Sequence, residues 1–171
     1  DERKKEIQYN GARFEVRGVP IFYTPVFSHP DSTVDRKTGF LVPTQGRSTL
    51  LGTTVSIPFF INFSPNLDIT LDTKLTSKEG LILGAELRNK TLDGFYKLEG
   101  SITNPEKRDE SNQKTGVRNE RSHLFANGNF VWNDLWQWGF SGALASDDTY
   151  LRKYNINSSD TLHNNFYIEG F

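Results

Sequence analysis

Three histidines, one pair of adjacent carboxylates and a row of alternating charges are the residues of this chain that could do chemistry. His29, His123 and His163 stand far apart, none with a second ligand at the short spacing a zinc site uses. Asp147 and Asp148, in "SDDTY" (146–150), form a pair able to bind a hard cation or to share a proton. The plainer reading of that stretch is a polar external loop. There is no Gly-rich phosphate loop and no nucleophile motif. With no cysteine there is no disulfide framework and no thiolate chemistry. "NFS", "NKT" and "NSS" match a glycosylation acceptor pattern that is too short to carry weight. The chain therefore reads as a non-enzyme with no cofactor and no metal. What remains is charge: Asp68, Asp72, Lys74, Glu86, Arg88, Lys97 and Glu99 alternate with apolar residues. They are expected on one face, either open to water or lining a wet lumen. Lys74, Arg88 and Lys97 could meet phosphates there; a solvated face accounts for them equally well.

The elements that would position these charges have a period of two. In "NLDITLDTKLT" (66–76), Leu67, Ile69, Leu71 and Leu75 oppose Asp68, Thr70, Asp72 and Lys74, the pattern of a half-buried strand and not of a helix. Leu81, Leu83, Ala85 and Leu87 oppose Glu86, Arg88 and Lys90; Tyr96, Leu98 and Ile102 oppose Lys97, Glu99 and Ser101. The alternation continues through Leu124–Trp132, Trp136–Leu144 and Leu162–Ile168. No amphipathic helix is expected. Composition agrees: 35% of the residues are apolar, 13% are aromatic and the net charge is −1. Mean hydropathy is −0.57. The aromatics argue for a folded chain despite thin apolar content, and the balanced charge gives no electrostatic case for nucleic acid.

The alternating runs are longer than ordinary soluble strands of about 5–6 residues and match the roughly 9–11 that cross a bilayer. Long connections (104–119 and 147–160) and a charged one ("SKEG", 77–80) fall at alternate turns, as in a meander with one confined and one open end. Trp132, Trp136 and Trp138 gather at one turn, as an interfacial girdle would. The predicted fold class is all-β: an antiparallel up-and-down meander forming part of an outer-membrane barrel. A soluble β-sandwich binding module and a complete small eight-stranded barrel remain as alternatives. Residues 1–37 differ. "GVPIFYTPVFSHP" (18–30) holds Pro20, Pro25 and Pro30, which are expected to bar a long paired strand. Residues 1–37 are expected to be the end of a preceding β-element with its linker, and 38–171 about eight membrane strands. The opening DERKK, with neither an initiator methionine nor an apolar signal core, and a last residue in mid-strand suggest a piece of a longer protein.

Two prolines break the pattern. "GFLVPTQGRSTLLGTTVSIPFF" (39–60) carries Pro43 and Pro58 in neighbouring predicted strands. Each removes a ladder donor wherever its nitrogen faces a partner. Read alone, they bend an edge strand or blunt aggregation. With "GVPIFYTPVFSHP", "KTGFLVPTQG" and "SIPFFINFSPNLDITLDTKL", however, the chain resembles the LPS-assembly protein LptD family, whose pattern joins a proline-aromatic segment, a short proline-bearing strand and a strand pair around "PN-D-T". "AELRN" (85–89) and "SDDTYL" (146–151) are similar to further family segments. Phe59, Phe60 and Ile61 stand where the family often has tyrosine or tryptophan.

That resemblance implies a large outer-membrane barrel behind a periplasmic β-jellyroll, so that the N-terminal part here would be periplasmic. The implied partners are lipopolysaccharide, a lipoprotein plug of the LptE type inside the barrel, an LptA-type periplasmic bridge reached through the upstream jellyroll, and outer-membrane lipid. It further implies a lateral gate near the first barrel strands, to which Pro43 and Pro58 would belong.

Overall fold

The computed structural model describes residues 6–16, 19–30, 36–111, 113–157 and 161–170. It is all-β but for one helical turn. A hairpin comes first, β1 (Glu6–Val16) and β2 (Val19–Pro30), forming a two-stranded sheet of its own. The main sheet holds nine strands: β3 (Gly39–Phe40), β4 (Thr44–Ser48), β5 (Gly52–Ser64), β6 (Leu67–Thr76), β7 (Gly80–Lys90), β8 (Gly94–Thr103), β11 (Arg121–Asn133), β12 (Trp136–Ala145) and β13 (Asn165–Gly170). Between β8 and β11, β9 (Glu106–Arg108) and β10 (Lys114–Arg118) pair as a small antiparallel ribbon. The helix α1 (Tyr150–Lys153) lies between β12 and β13. Every pairing in the main sheet is antiparallel and joins strands successive within that sheet, so the topology is the predicted meander. Counted as one interrupted strand, β3 and β4 bring the nine to eight.

The register sorts the two faces. Ile69, Leu87 and Leu98 form one cross-sheet row, and Leu71, Ala85, Gly100 and Leu124 another. The adjacent row, Asp68, Arg88, Lys97 and Asn127, points the other way. In a water-soluble sheet the apolar rows would be covered. Here they are the open side: Leu83 is 47% exposed, Leu144 62% and Phe166 63%, whereas Asp68 is 1% exposed. The buried apolar cluster, Leu51, Ile82, Tyr150, Leu151 and Tyr154, sits on the polar face, where α1 lies over the sheet. No second sheet covers the apolar rows among the described residues, as a sandwich would require.

Three expectations are corrected. Proline does not keep β2 short: ten of its twelve residues pair along β1, with Pro20 opposite Glu15 and Pro30 opposite Glu6. A two-stranded ribbon leaves one edge of each strand free, where a missing N–H costs nothing. The 104–119 connection is partly ordered as the β9–β10 ribbon. Leu162 is not in the last strand, which starts at Asn165; it packs instead against the cluster around α1. The close strand spacing has a requirement at Gly94, where a Cβ would lie 2.1 Å from the Asn129 carbonyl oxygen and 2.7 Å from Phe130 Cα. The aromatics of the 134–135 turn share the apolar face: Phe130 stacks on Trp138 at 4.5 Å, and Phe166 lies 6.0 Å from Trp138.

Candidate functional site

The seven charged residues singled out above lie on β6, β7 and β8, on the same face of the sheet. The pairing would put like charges together, with Glu86 opposite Glu99 and Arg88 opposite Lys97. Like charges directly opposite destabilise a ladder, and contacts across the other edge, along the strand and on the diagonal relieve them. Lys97 Nζ reaches Glu86 Oε2 at 2.7 Å and Glu99 Oε2 at 2.9 Å, and Arg88 Nε reaches Asp68 Oδ1 at 2.8 Å and Glu86 Oε1 at 3.5 Å. Lys74 lies 3.9 Å from Asp72, whose carboxylate also accepts from Ser56 Oγ. The result is one network, Asp68–Arg88–Glu86–Lys97–Glu99, with most members about a third to a half exposed. Pairs this wet add little stability. Their chemistry is that of a hydrated, charge-balanced wall. Among the described residues no group of three metal-ligating side chains converges.

The two prolines meet at one place. Residues 41–43 separate β3 from β4, and Pro43 is the last of them. Phe40 pairs with Phe59 and Thr44 with Ser56, so three residues of the first strand face two of β5, Ile57 and Pro58. Leu41 N–H donates to the Pro58 carbonyl at 2.9 Å. A strand residue turns its nitrogen and its carbonyl to the same edge. Pro58 therefore turns its ring nitrogen to the first strand as well and can return no bond there. Its pairing with Asp72 on the β6 side is undisturbed. Pro58 thus thins one stretch of the ladder between the first strand and β5, and Pro43 lies in the unpaired gap opposite it.

The third feature was not legible as a site. The 147–160 segment, expected to be a polar external loop, instead folds onto the polar face through Ile156; residues 158–160 lie outside the described part. Arg121, 8% exposed at the start of β11, donates to Asp147 through Nε at 2.8 Å and Nη2 at 2.5 Å, and to Thr149 Oγ1 at 2.8 Å. Its guanidinium carbon lies 5.4 Å from the ring centre of Tyr150 and equally far from that of Tyr154. The Arg121 bonds, helped by Thr149 and Ser146, hold the Asp147 carboxyl well below the usual carboxylate range. Tyr150 is fully buried, and its hydroxyl shares a 2.7 Å bond with Ser101, which also bonds His123 Nδ1 at 2.9 Å. Tyr154 donates to Glu79 at 3.0 Å, and Lys153 pairs with the same carboxylate at 2.8 Å. Burial, and then the Glu79 charge, push the Tyr154 hydroxyl upward; burial does the same for Tyr150. Thus His123 is a buried hydrogen-bonding residue, His163 is exposed, and they do not meet. The one signal for this docking was the spacing of Tyr150 and Tyr154, four apart and so on one helical face. A single helical turn is too short for periodicity to reveal.

No family model matches the chain. Among curated proteins, LPS-assembly protein LptD of Legionella pneumophila (strain Paris) is 32% identical over 167 residues, 92% of this chain and 20% of that protein. LPS-assembly protein LptD of Nitrosomonas europaea is 30% identical over 173 residues, covering 100% of this chain and 22% of its own length. The chain belongs to the LptD family. It spans about a fifth of the length of these LptD relatives. A third, from Ralstonia nicotianae, is 42% identical over 84 residues, 48% of this chain and 10% of its own length. Within this LptD-family chain, the "SPN-D-T" stretch is the β5–β6 turn and the start of β6, which puts Asp68 on the polar face beside the first strand.

Proposed function

We propose that this chain forms the start of an outer-membrane barrel wall through which lipopolysaccharide is delivered to the outer leaflet. The observation that carries the reading is the inverted sheet, with its apolar rows open and its charged network on the more sheltered side. Apolar side chains left open over ten-residue strands suit hydrocarbon, and a charged opposite face suits a wet lumen. In this reading residues 38–171 supply the first eight strands, residues 1–37 end a periplasmic jellyroll, and the aromatics at the 134–135 turn sit at a membrane interface. The seven charged residues line the lumen, where a lipoprotein plug of the LptE type would sit, and an LptA-type bridge would hand lipid to the jellyroll upstream. No enzymatic step is needed.

The gate reading rests on the thinned ladder. β13 pairs only with β12, and β3 and β4 only with β5, so both edges of the sheet are open among the described residues. That favours a larger barrel over a self-closed eight-stranded one. An unpaired edge is costly in hydrocarbon, so the first strand must meet a closing strand. Each ladder bond missing from its other edge lowers its hold by about 1 kcal/mol. Strand one, held loosely to β5, can tilt away and open the seam sideways for an amphipathic lipid. The test is the double substitution Pro43→Ala, Pro58→Ala in the full-length protein, with surface lipopolysaccharide measured on cells. Reduced surface lipopolysaccharide at normal protein levels is expected. Undiminished surface lipopolysaccharide would overturn the gate.

A further inference from the structure

Asp68 is the most deeply buried charged residue described, and its partners come from two directions. Arg88 reaches it from β7, the next strand. Arg36 reaches it from the segment leading into β3 and also donates to the Pro65 carbonyl in the β5–β6 turn. Beside this contact, Thr38 Oγ1 accepts the Asn62 N–H at 2.9 Å. Arg36 holds a left-handed backbone with φ of 54°, unfavourable for a side chain of its size. Such a conformation persists only where its surroundings impose it, and here two hydrogen bonds from one guanidinium do so.

We infer that Asp68 is a positioning residue: a carboxylate clasp that fastens residues 36–38 to the β5–β6 turn and so sets where the first strand begins. Two cations share one sheltered anion. Removing the anion leaves both guanidiniums without it; Arg88 keeps Glu86 at 3.5 Å, so the strained member, Arg36, is the one released. The first strand is anchored at its start by this clasp and thinned a few residues later at Pro43 and Pro58. A strand fixed at one end and loose beyond it swings about the fixed point. The clasp thereby limits the opening of strand one to its far part. This inference rests on the reading of strand one as a seam.

The experiment uses the full-length protein purified in detergent, which leaves both sides open to protease, with wild type, Asp68→Asn, Asp68→Glu and Arg36→Gln compared. Two quantities are read: the rate of tryptic cleavage after Arg36 or Lys37, by mass spectrometry, and surface lipopolysaccharide on cells. Asp68→Asn should speed cleavage about tenfold, in line with loss of a sheltered ion pair whose cation is partly exposed, and lower surface lipopolysaccharide. Asp68→Glu, which keeps the charge, should restore most of both. Arg36→Gln leaves Asp68 paired with Arg88 and so guards against a folding defect; cleavage after Lys37 should rise in it too. Unchanged cleavage in both Asp68→Asn and Arg36→Gln would overturn the clasp. Faster cleavage with normal surface lipopolysaccharide would overturn the positioning role, while the seam itself is judged separately by the proline variant.

Discussion

Replacing Arg121 with alanine should release the 147–156 segment from the polar face. Arg121 ties that segment to β11 through three hydrogen bonds to Asp147 and Thr149 and two tyrosine rings. Removing one partner of a buried ion pair costs about 3–5 kcal/mol. Asp147 is about a third exposed, so solvent would screen much of this, leaving roughly 2 kcal/mol. The ring contacts add about 0.5–1 kcal/mol. The total, about 3 kcal/mol, is a factor of roughly 100 in the docking equilibrium. Hydrogen exchange in the full-length protein in detergent reads it directly. The amides of Tyr154 and Ile156, bonded to the carbonyls of Tyr150 and Leu151, should exchange about 100-fold faster, while β6 and β7 stay protected. Arg121→Lys should fall between, since lysine keeps the charge but loses the two-pronged geometry. The sign of the pH effect follows from Asp147. Its docked carboxyl lies below its undocked value, so its contribution is fully present above about pH 4 and is lost only as pH falls toward the docked value. Asp147 by itself therefore leaves docking unchanged above about pH 5 and weakens it in acid. Unchanged exchange in Arg121→Ala, or docking that tightens in acid, would refute this account.

Two further substitutions probe the sheet. Leu71→Arg places a charge in the middle of β6 on the open apolar face; in a bilayer it should cost about 2–4 kcal/mol, against about 0.5 kcal/mol or less on a water-facing surface, and denaturant unfolding in lipid vesicles separates the two. Gly94→Ala drives a Cβ into the β11 backbone; a cost of about 1–3 kcal/mol from overpacking is expected, and an unfolding midpoint equal to wild type would show that β8 and β11 are less closely apposed there.

The sequence alone determined the strands and their faces, because both are local properties. Alternation such as Leu67, Ile69, Leu71 against Asp68, Thr70, Asp72 can be satisfied only by an extended chain with unlike sides. The seven charged residues were legible as one face for the same reason. Tertiary structure decided which of them matter individually. Nothing in the period of two distinguishes Asp68 from Asp72; pairing register and the returning Arg36, 32 residues away in sequence, make one a buried hub and leave the other at the wet surface. Pro43 and Pro58 were visible as anomalies, but only the register brings them to the same stretch of one ladder. The docking of α1 was hidden most deeply. Four helical residues carry almost no periodicity, and the groups that hold them, Glu79, Ser101 and Arg121, lie 28 to 75 residues away. Local pattern specifies the wall; contacts between distant segments specify what is fastened to it.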